Sequence, residues 1–167
     1  MKIKNNQDNL DILRELQKDA TLSSDSLSEK VHLSRNACWR RVKHLEEAGY
    51  IKGRVALIDA EKAGLGLSVI ILVRTSSHDP EWLGIFRSAV KDFPEITSTY
   101  RMSGDLDYVL IARVSDVKAY DRMYQRLIEK VTLHDVSASF VMEEIKETTS
   151  LPLSLIDMRR EKRRREI

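Results

Sequence analysis

The chain has a single cysteine, Cys38, and so cannot close an internal disulfide. Its four histidines, His32, His44, His78 and His134, form no metal-ligand motif with cysteine or carboxylate side chains. It has no G-x-S-x-G nucleophile turn and no phosphate-cradling glycine loop, so neither enzymatic chemistry nor a cofactor is expected. No apolar run approaches the roughly 20 residues needed to cross a bilayer. The longest, Leu67 to Val73, has the length of a buried strand. The opening M-K-I-K-N-N-Q-D lacks the apolar segment of a secretory signal. Together these absences predict a cytoplasmic protein that neither enters a membrane nor holds a metal.

What remains is an ordinary globular composition with an uneven charge. The 167 residues suit one large domain or two small ones, and 42% of them are apolar, enough to bury a core. Residues 1–54 carry a net charge of +3, residues 55–156 of −4 and residues 157–167 of +3. A basic segment joined to an acidic one fits a nucleic-acid binder with a separate sensing or assembly module.

The stretch from Ser23 to Gly53 carries most of the functional information. Asn9 is expected to cap a first helix running to about Asp19, with Leu10, Ile12, Leu13 and Leu16 on its apolar face. Ser23 caps a second, with Leu27 and Val31 inward. Ser34 caps a third, which stops at Gly49. Tyr50–Arg54 then leads into a strand expected over Val55–Ile58. Three helices with a short second turn and a following strand describe a winged helix-turn-helix. On the third helix Cys38, Val42 and Leu45 align on one side, while Arg35, Asn36, Trp39, Arg40 and Lys43 fall on the others. A major groove admits one helix; Arg can grip guanine, and Asn adenine, through paired hydrogen bonds. Lys43 and Arg54 suit phosphates, and Ser34 and Arg35 at the helix N-terminus suit the backbone. Trp39 either meets a thymine methyl or covers the first helix. Cys38, on the apolar stripe, reads as a core residue rather than a reactive thiol.

Beyond the connector Asp59–Gly64 the pattern is β-α-β-β-α-β. Strands are expected over Leu67–Thr75, Glu95–Ser103, Asp107–Val114 and Val136–Glu147. The helix Pro80–Phe93 buries Trp82, Leu83, Ile85, Phe86, Ala89 and Val90. A second helix, capped by Asp116, turns Val117, Tyr120, Met123, Tyr124, Leu127, Ile128 and Val131 inward. This order gives a ferredoxin-like antiparallel sheet with both helices on one face. Apolar residues occur in both parities of Leu67–Val73, so the open face needs a cover, and a second copy of the chain is expected to supply it. The link Met102–Tyr108 suits a tight turn at Gly104, where two aspartates and free backbone N–H groups could hold the ammonium and carboxylate of a small zwitterion. A hairpin turn with solvated acids is the alternative.

The chain resembles the Lrp/AsnC family of feast/famine transcriptional regulators. The resemblance rests on I-L-R-E-L-Q-K-D-A at 12–20, L-S-E-K-V-H-L-S at 27–34, R-V-K-H-L-E-E-A-G-Y-I-K-G at 41–53, G-D-L-D-Y at 104–108 and V-M-E-E-I-K-E-T-T-S-L-P-L at 141–153. It covers about residues 9–153. It implies a winged helix-turn-helix DNA-binding domain over 1–54, a linker strand and connector over 55–64, and a ferredoxin-like sensing and oligomerisation domain over 65–153. A charged basic tail over 154–167 extends past the usual family end. It further implies double-stranded DNA as a partner, dimers that assemble to tetramers or octamers, and an amino-acid effector bound near Gly104, Asp105, Leu106, Asp107 and Tyr108. The Cys38-Trp39 pair and the S-L-P-L ending are most similar to the subgroup that answers to cysteine. Two departures stand out: Asn5, Asn6 and Asn9 replace the usual Leu-Asp opening of the first helix, and His32 stands where glycine is common in the second turn.

The expected function is sequence-specific transcriptional regulation modulated by an amino acid. An architectural, mostly non-specific DNA-wrapping protein shares the same features. A small enzyme on the ferredoxin-like fold is disfavoured by the lack of a nucleophile–base pair.

Overall fold

The structure, a computed structural model, describes residues 7–76 and 79–156. His78, Asn5, Asn6 and the 157–167 part of the basic tail lie outside the described residues. The chain divides into two compact units, Leu57–Ile145 and a second made of Met1–Ala56 with Lys146–Ile167.

The first unit to form in sequence contains α1 (Gln7–Lys18), α2 (Ser24–Lys30) and α3 (Arg35–Glu47). Ile12, Leu16, Leu27, Cys38 and Leu45 close its core, with Val31, Leu33 and Val42 packed alongside. The expected serine caps are made: Ser23 Oγ accepts from the Ser26 amide at 3.1 Å and Ser34 Oγ from that of Ala37 at 3.3 Å. Each satisfies an amide that the first helical turn leaves without an intrahelical partner. The α2–α3 turn places His32 at φ +52°, a left-handed conformation that explains why glycine suits the position. At the far end of α3, Gly49 has φ +72°; its amide donates to Glu46 O at 3.0 Å, and that of Tyr50 to Leu45 O at 2.9 Å. These two bonds form a Schellman motif.

Asn9 does not cap α1. The helix begins at Gln7, and Asn9 lies buried within it, where its Oδ1 accepts from Arg41 Nη1 at 3.1 Å. A buried amide needs such a partner, and α3 supplies it. The strand expected at Val55–Ile58 is not formed either. No segment of the described chain pairs with it, and Val55, Leu57 and Ile58 are exposed.

The second unit contains β1 (Leu67–Arg74), α4 (Pro80–Lys91), β2 (Ile96–Arg101), β3 (Tyr108–Val114), α5 (Val117–Lys130) and β4 (Asp135–Phe140). The sheet is antiparallel, in the order β2-β3-β1-β4, as the βαββαβ reading requires. Val69, Ile71 and Val73 of β1, with Tyr108, Leu110, Ala112 and Val114 of β3, face Trp82, Phe86, Met123 and Leu127 of the helices. Asp79 and Asp116 cap α4 and α5, with 2.7 and 2.8 Å bonds from Trp82 N and Ala119 N.

Ile85, Val117 and Ile128 are exposed, although their spacing suggested burial. They sit at the margins of helix faces whose centres fill the space above the sheet. The last strand ends at Phe140, short of Glu147, because β1 runs out: Val141 makes a final 2.9 Å bond to Ser68 O, and beyond it the chain has no partner strand. On the open face, Ile70 and Leu72 lie beside Ile111 and Val109, and Tyr100 beside Val109.

Candidate nucleic-acid and effector interfaces

On α3, Asn36, Arg40, Lys43 and Glu47 follow one another at i, i+4, i+7 and i+11, so they share one face. All four are exposed, and that face lies opposite buried Cys38 and Leu45. Arg35 and Trp39 flank the stripe, and Trp39 is 54% exposed. The Lys43 ammonium sits 5.4 Å from the Trp39 ring centroid, and the indole also lines a cavity with Leu16 of α1.

The basic groups of this surface differ in how they are held. Arg35 Nε pairs with Asp25 Oδ1 of α2 at 3.2 Å, Lys43 with Glu47 at 3.8 Å and Arg54 Nη2 with Glu46 Oε1 at 2.9 Å. Among the described residues no carboxylate pairs with Arg40. Arg41, although part of the same basic run, turns inward. Its Nη2 meets Asp8 Oδ2 at 2.6 Å while Nη1 meets Asn9, which fastens α3 to α1.

Leu22, Leu27, Cys38, Trp39 and Arg54 are among the residues lining a cavity of about 400 Å³ beside α3. Cys38 itself has no exposed surface, and burial pushes its thiol pKa up, against a thiolate role. Asp25, Glu46 and Glu47 are the members of this surface that patterning by basic residues overlooked. Their only signal was their position beside each cation.

The loop joining β2 to β3 divides its residues between surface and core. Gly104 takes φ +109°, as a tight turn requires. Gly104 and Asp105 are exposed, and Leu106 and Asp107 are half-buried. Asp107 Oδ2 accepts from the Thr75 amide at 2.8 Å, and its own amide donates to Val73 O at 3.1 Å, which anchors the loop to β1. Arg74 spans the same edge: Nε donates to Asp105 O and Nη1 to Asp135 Oδ2, each at 3.0 Å. The sequence reading missed Arg74 and Asp135, since one ends β1, the other opens β4, and both look like strand-end solubilisers. Tyr108 is buried, with its ring 4.5 Å from Phe86 and 5.9 Å from Trp82. Its side chain holds the base of the loop from within the core.

Among the described residues no three His, Cys, Asp or Glu side chains gather as a metal site, and no helix is long and apolar enough to cross a membrane.

Residues 68–151 match the family model described as the Lrp/AsnC ligand binding domain, and residues 9–52 match that of a winged helix-turn-helix DNA-binding domain. The glutamate uptake regulatory protein of Zymomonas mobilis is 49% identical over 142 residues, covering 85% of this chain and 87% of that protein. The DNA-binding transcriptional activator DecR of Escherichia coli is 46% identical over 143 residues, covering 85% and 94%. Among solved structures, an AsnC family transcriptional regulator from Agrobacterium tumefaciens superimposes with a TM-score of 0.87 at 47% identity, covering 90% of this chain and 98% of that one. A transcriptional regulator from Neisseria meningitidis, in complex with L-Met, does so with a TM-score of 0.86 at 35% identity and the same coverage.

Proposed function

The chain belongs to the Lrp/AsnC family of DNA-binding transcriptional regulators, and from that premise we propose which residues read DNA and which receive the effector. It is a transcriptional regulator whose DNA binding is modulated by a small molecule. The helix α3 lies in the major groove, with Asn36 and Arg40 toward base edges. Ser34, Arg35, Lys43 and Arg54 meet phosphates, and Trp39 packs against sugar or a thymine methyl. The observation that carries this assignment is the exposed Asn36–Arg40–Lys43 stripe opposite buried Cys38 and Leu45. Replacing Arg40→Ala together with Lys43→Ala lowers affinity for a selected duplex about 10²-fold, since a good base contact is worth about 1–3 kcal/mol and a lost phosphate contact adds to it. Unchanged affinity in a gel-shift assay at fixed salt ends the assignment.

The effector is an amino acid held at the Gly104–Tyr108 loop. Exposed Asp105 faces its ammonium, the turn amides its carboxylate, and Asp107 and Tyr108 fix the loop. The L-Met bound to the Neisseria meningitidis relative supports the ligand class. Cysteine, suggested by subgroup likeness, and glutamate, suggested by the Zymomonas mobilis name, are the side-chain alternatives. Thermal-shift screening against the amino acids identifies it, because a ligand of the folded state raises apparent stability. A screen in which none of them shifts the transition removes this ligand class.

The apolar open face of the sheet, with Ile70, Leu72, Tyr100, Val109 and Ile111, is covered by a second copy, and dimers assemble further to tetramers or octamers. Ile70→Lys with Val109→Lys yields monomers in light scattering. An unchanged mass rejects this face as the interface.

A further inference from the structure

Four helices each carry an acid at the start: Asp8, Asp25 and Glu81 in the first turns of α1, α2 and α4, and Asp116 as the cap of α5. Each of the four ends on a lysine, although Lys118 stands in the first turn of α5 and a glutamate stands in the last turn of α1, α2 and α5. The helix α3 is charged the other way. Arg35 is its first residue, and Glu46 and Glu47 are its last two. The N-terminus of a helix is its positive end and disfavours a cation; the C-terminus disfavours an anion. Among the described helices only α3 begins on a cation and ends on two acids, a layout that local stability does not explain. The two glutamates also hold Arg54 at 2.9 Å and Lys43 at 3.8 Å. The exposed cations Arg35, Arg40, Lys43 and Arg54 are thus answered by Asp25, Glu46 and Glu47, which leaves this surface a net charge of only +1.

We infer that Glu46 and Glu47 are specificity determinants: they suppress sequence-independent phosphate binding at the C-terminal end of α3. The inference rests on α3 being the reading helix. Affinity for arbitrary DNA comes almost wholly from cations that neutralise phosphates. At a random sequence the repelled carboxylates keep Lys43 and Arg54 occupied. At a matching sequence, base contacts from Asn36 and Arg40 near the N-terminal half supply the free energy to exchange these ion pairs for DNA contacts. The same carboxylates fix which end of the helix enters the groove, since recognition helices present their N-terminal residues to base edges. This charge layout separates a selective regulator from a protein that coats DNA indiscriminately.

The test measures fluorescence anisotropy of the full chain on two duplexes, one of random sequence and one selected by the unaltered protein from a random pool. Glu46→Gln with Glu47→Gln is expected to raise random-duplex affinity about tenfold and to steepen its salt dependence by about two phosphate equivalents. Affinity for the selected duplex rises less, so the ratio between the two falls. Asp25→Asn, which frees Arg35 from α2, shifts both quantities in the same direction and provides an independent variant. Unchanged random-duplex affinity and salt slope in the Glu46→Gln/Glu47→Gln variant overturn the inference, whatever Asp25→Asn shows. Arg40→Ala serves as the control: if it spares the selected duplex, the reading-helix assignment has failed instead.

Discussion

Fourteen buried residues from one sheet and two helices close the core of the 57–145 unit, with the rings of Trp82, Phe86 and Tyr108 grouped within it. In the helical unit, among the described residues, a cluster of five does the same work, and polar ties complete it: Arg41 to Asp8 and Asn9, and Gln17 to the backbone at Leu151. The contrast follows from size, because a small domain has too little interior to bury much apolar surface. It also suits the two tasks. A packed aromatic core supports the base of the candidate effector loop, while hydrogen-bonded ties join the small apolar core in holding α3, the candidate reading helix. Damage should therefore act differently in the two places. In the sheet unit a core substitution removes stability. In the helical unit the loss of a tie alters the pose of α3 as well.

Phe86→Ala should give the largest effect, a loss of about 3–5 kcal/mol from an emptied aromatic site, read by chemical denaturation. A loss below about 1 kcal/mol would remove the contrast between the units. Arg41→Met comes next. It leaves the buried Asn9 carbonyl oxygen without its partner, at about 1–3 kcal/mol, and should weaken DNA binding even though Arg41 does not face the groove. Normal DNA affinity in a folded variant would show that the tie stabilises α3 without positioning it. His32→Gly is the smallest and has the opposite sign. Relief of the left-handed backbone outweighs the added freedom of the unfolded chain by about 0.5 kcal/mol, raising the melting temperature slightly. A lowered melting temperature would mean that the imidazole makes a contact worth more than the strain.

The elements whose signals are local could be read from the residues alone. Ser23, Ser34, Asp116 and Gly49 act within one turn of themselves, so their roles survive without knowledge of the fold. Asn9 misled because a cap and a buried hydrogen-bond partner use the same side chain, and Arg41, 32 residues away, decided between them. Strand ends were overrun for a related reason: residues beyond Phe140 retain a strand-like composition, but pairing stops where β1 stops. On the candidate DNA surface the cations were legible and their acidic partners were not, because ion pairing depends on which helices meet. In the candidate effector loop Gly104 was visible through its turn, whereas Arg74 meets the loop, and Asp135 meets Arg74, only across the sheet edge.

The Gln17 side chain donates to Leu151 O at 3.0 Å and accepts from Leu151 N at 3.1 Å, meeting one residue's amide and carbonyl as a neighbouring strand would. With that clasp, the chain leaves the helical unit near Ala56 and rejoins it near Lys146, so the sheet unit is an insertion within its host and not an appendage. An insertion has two anchors. One of them is Leu151, tied to Gln17 of α1, the same helix whose Asp8 and Asn9 grip Arg41 of α3.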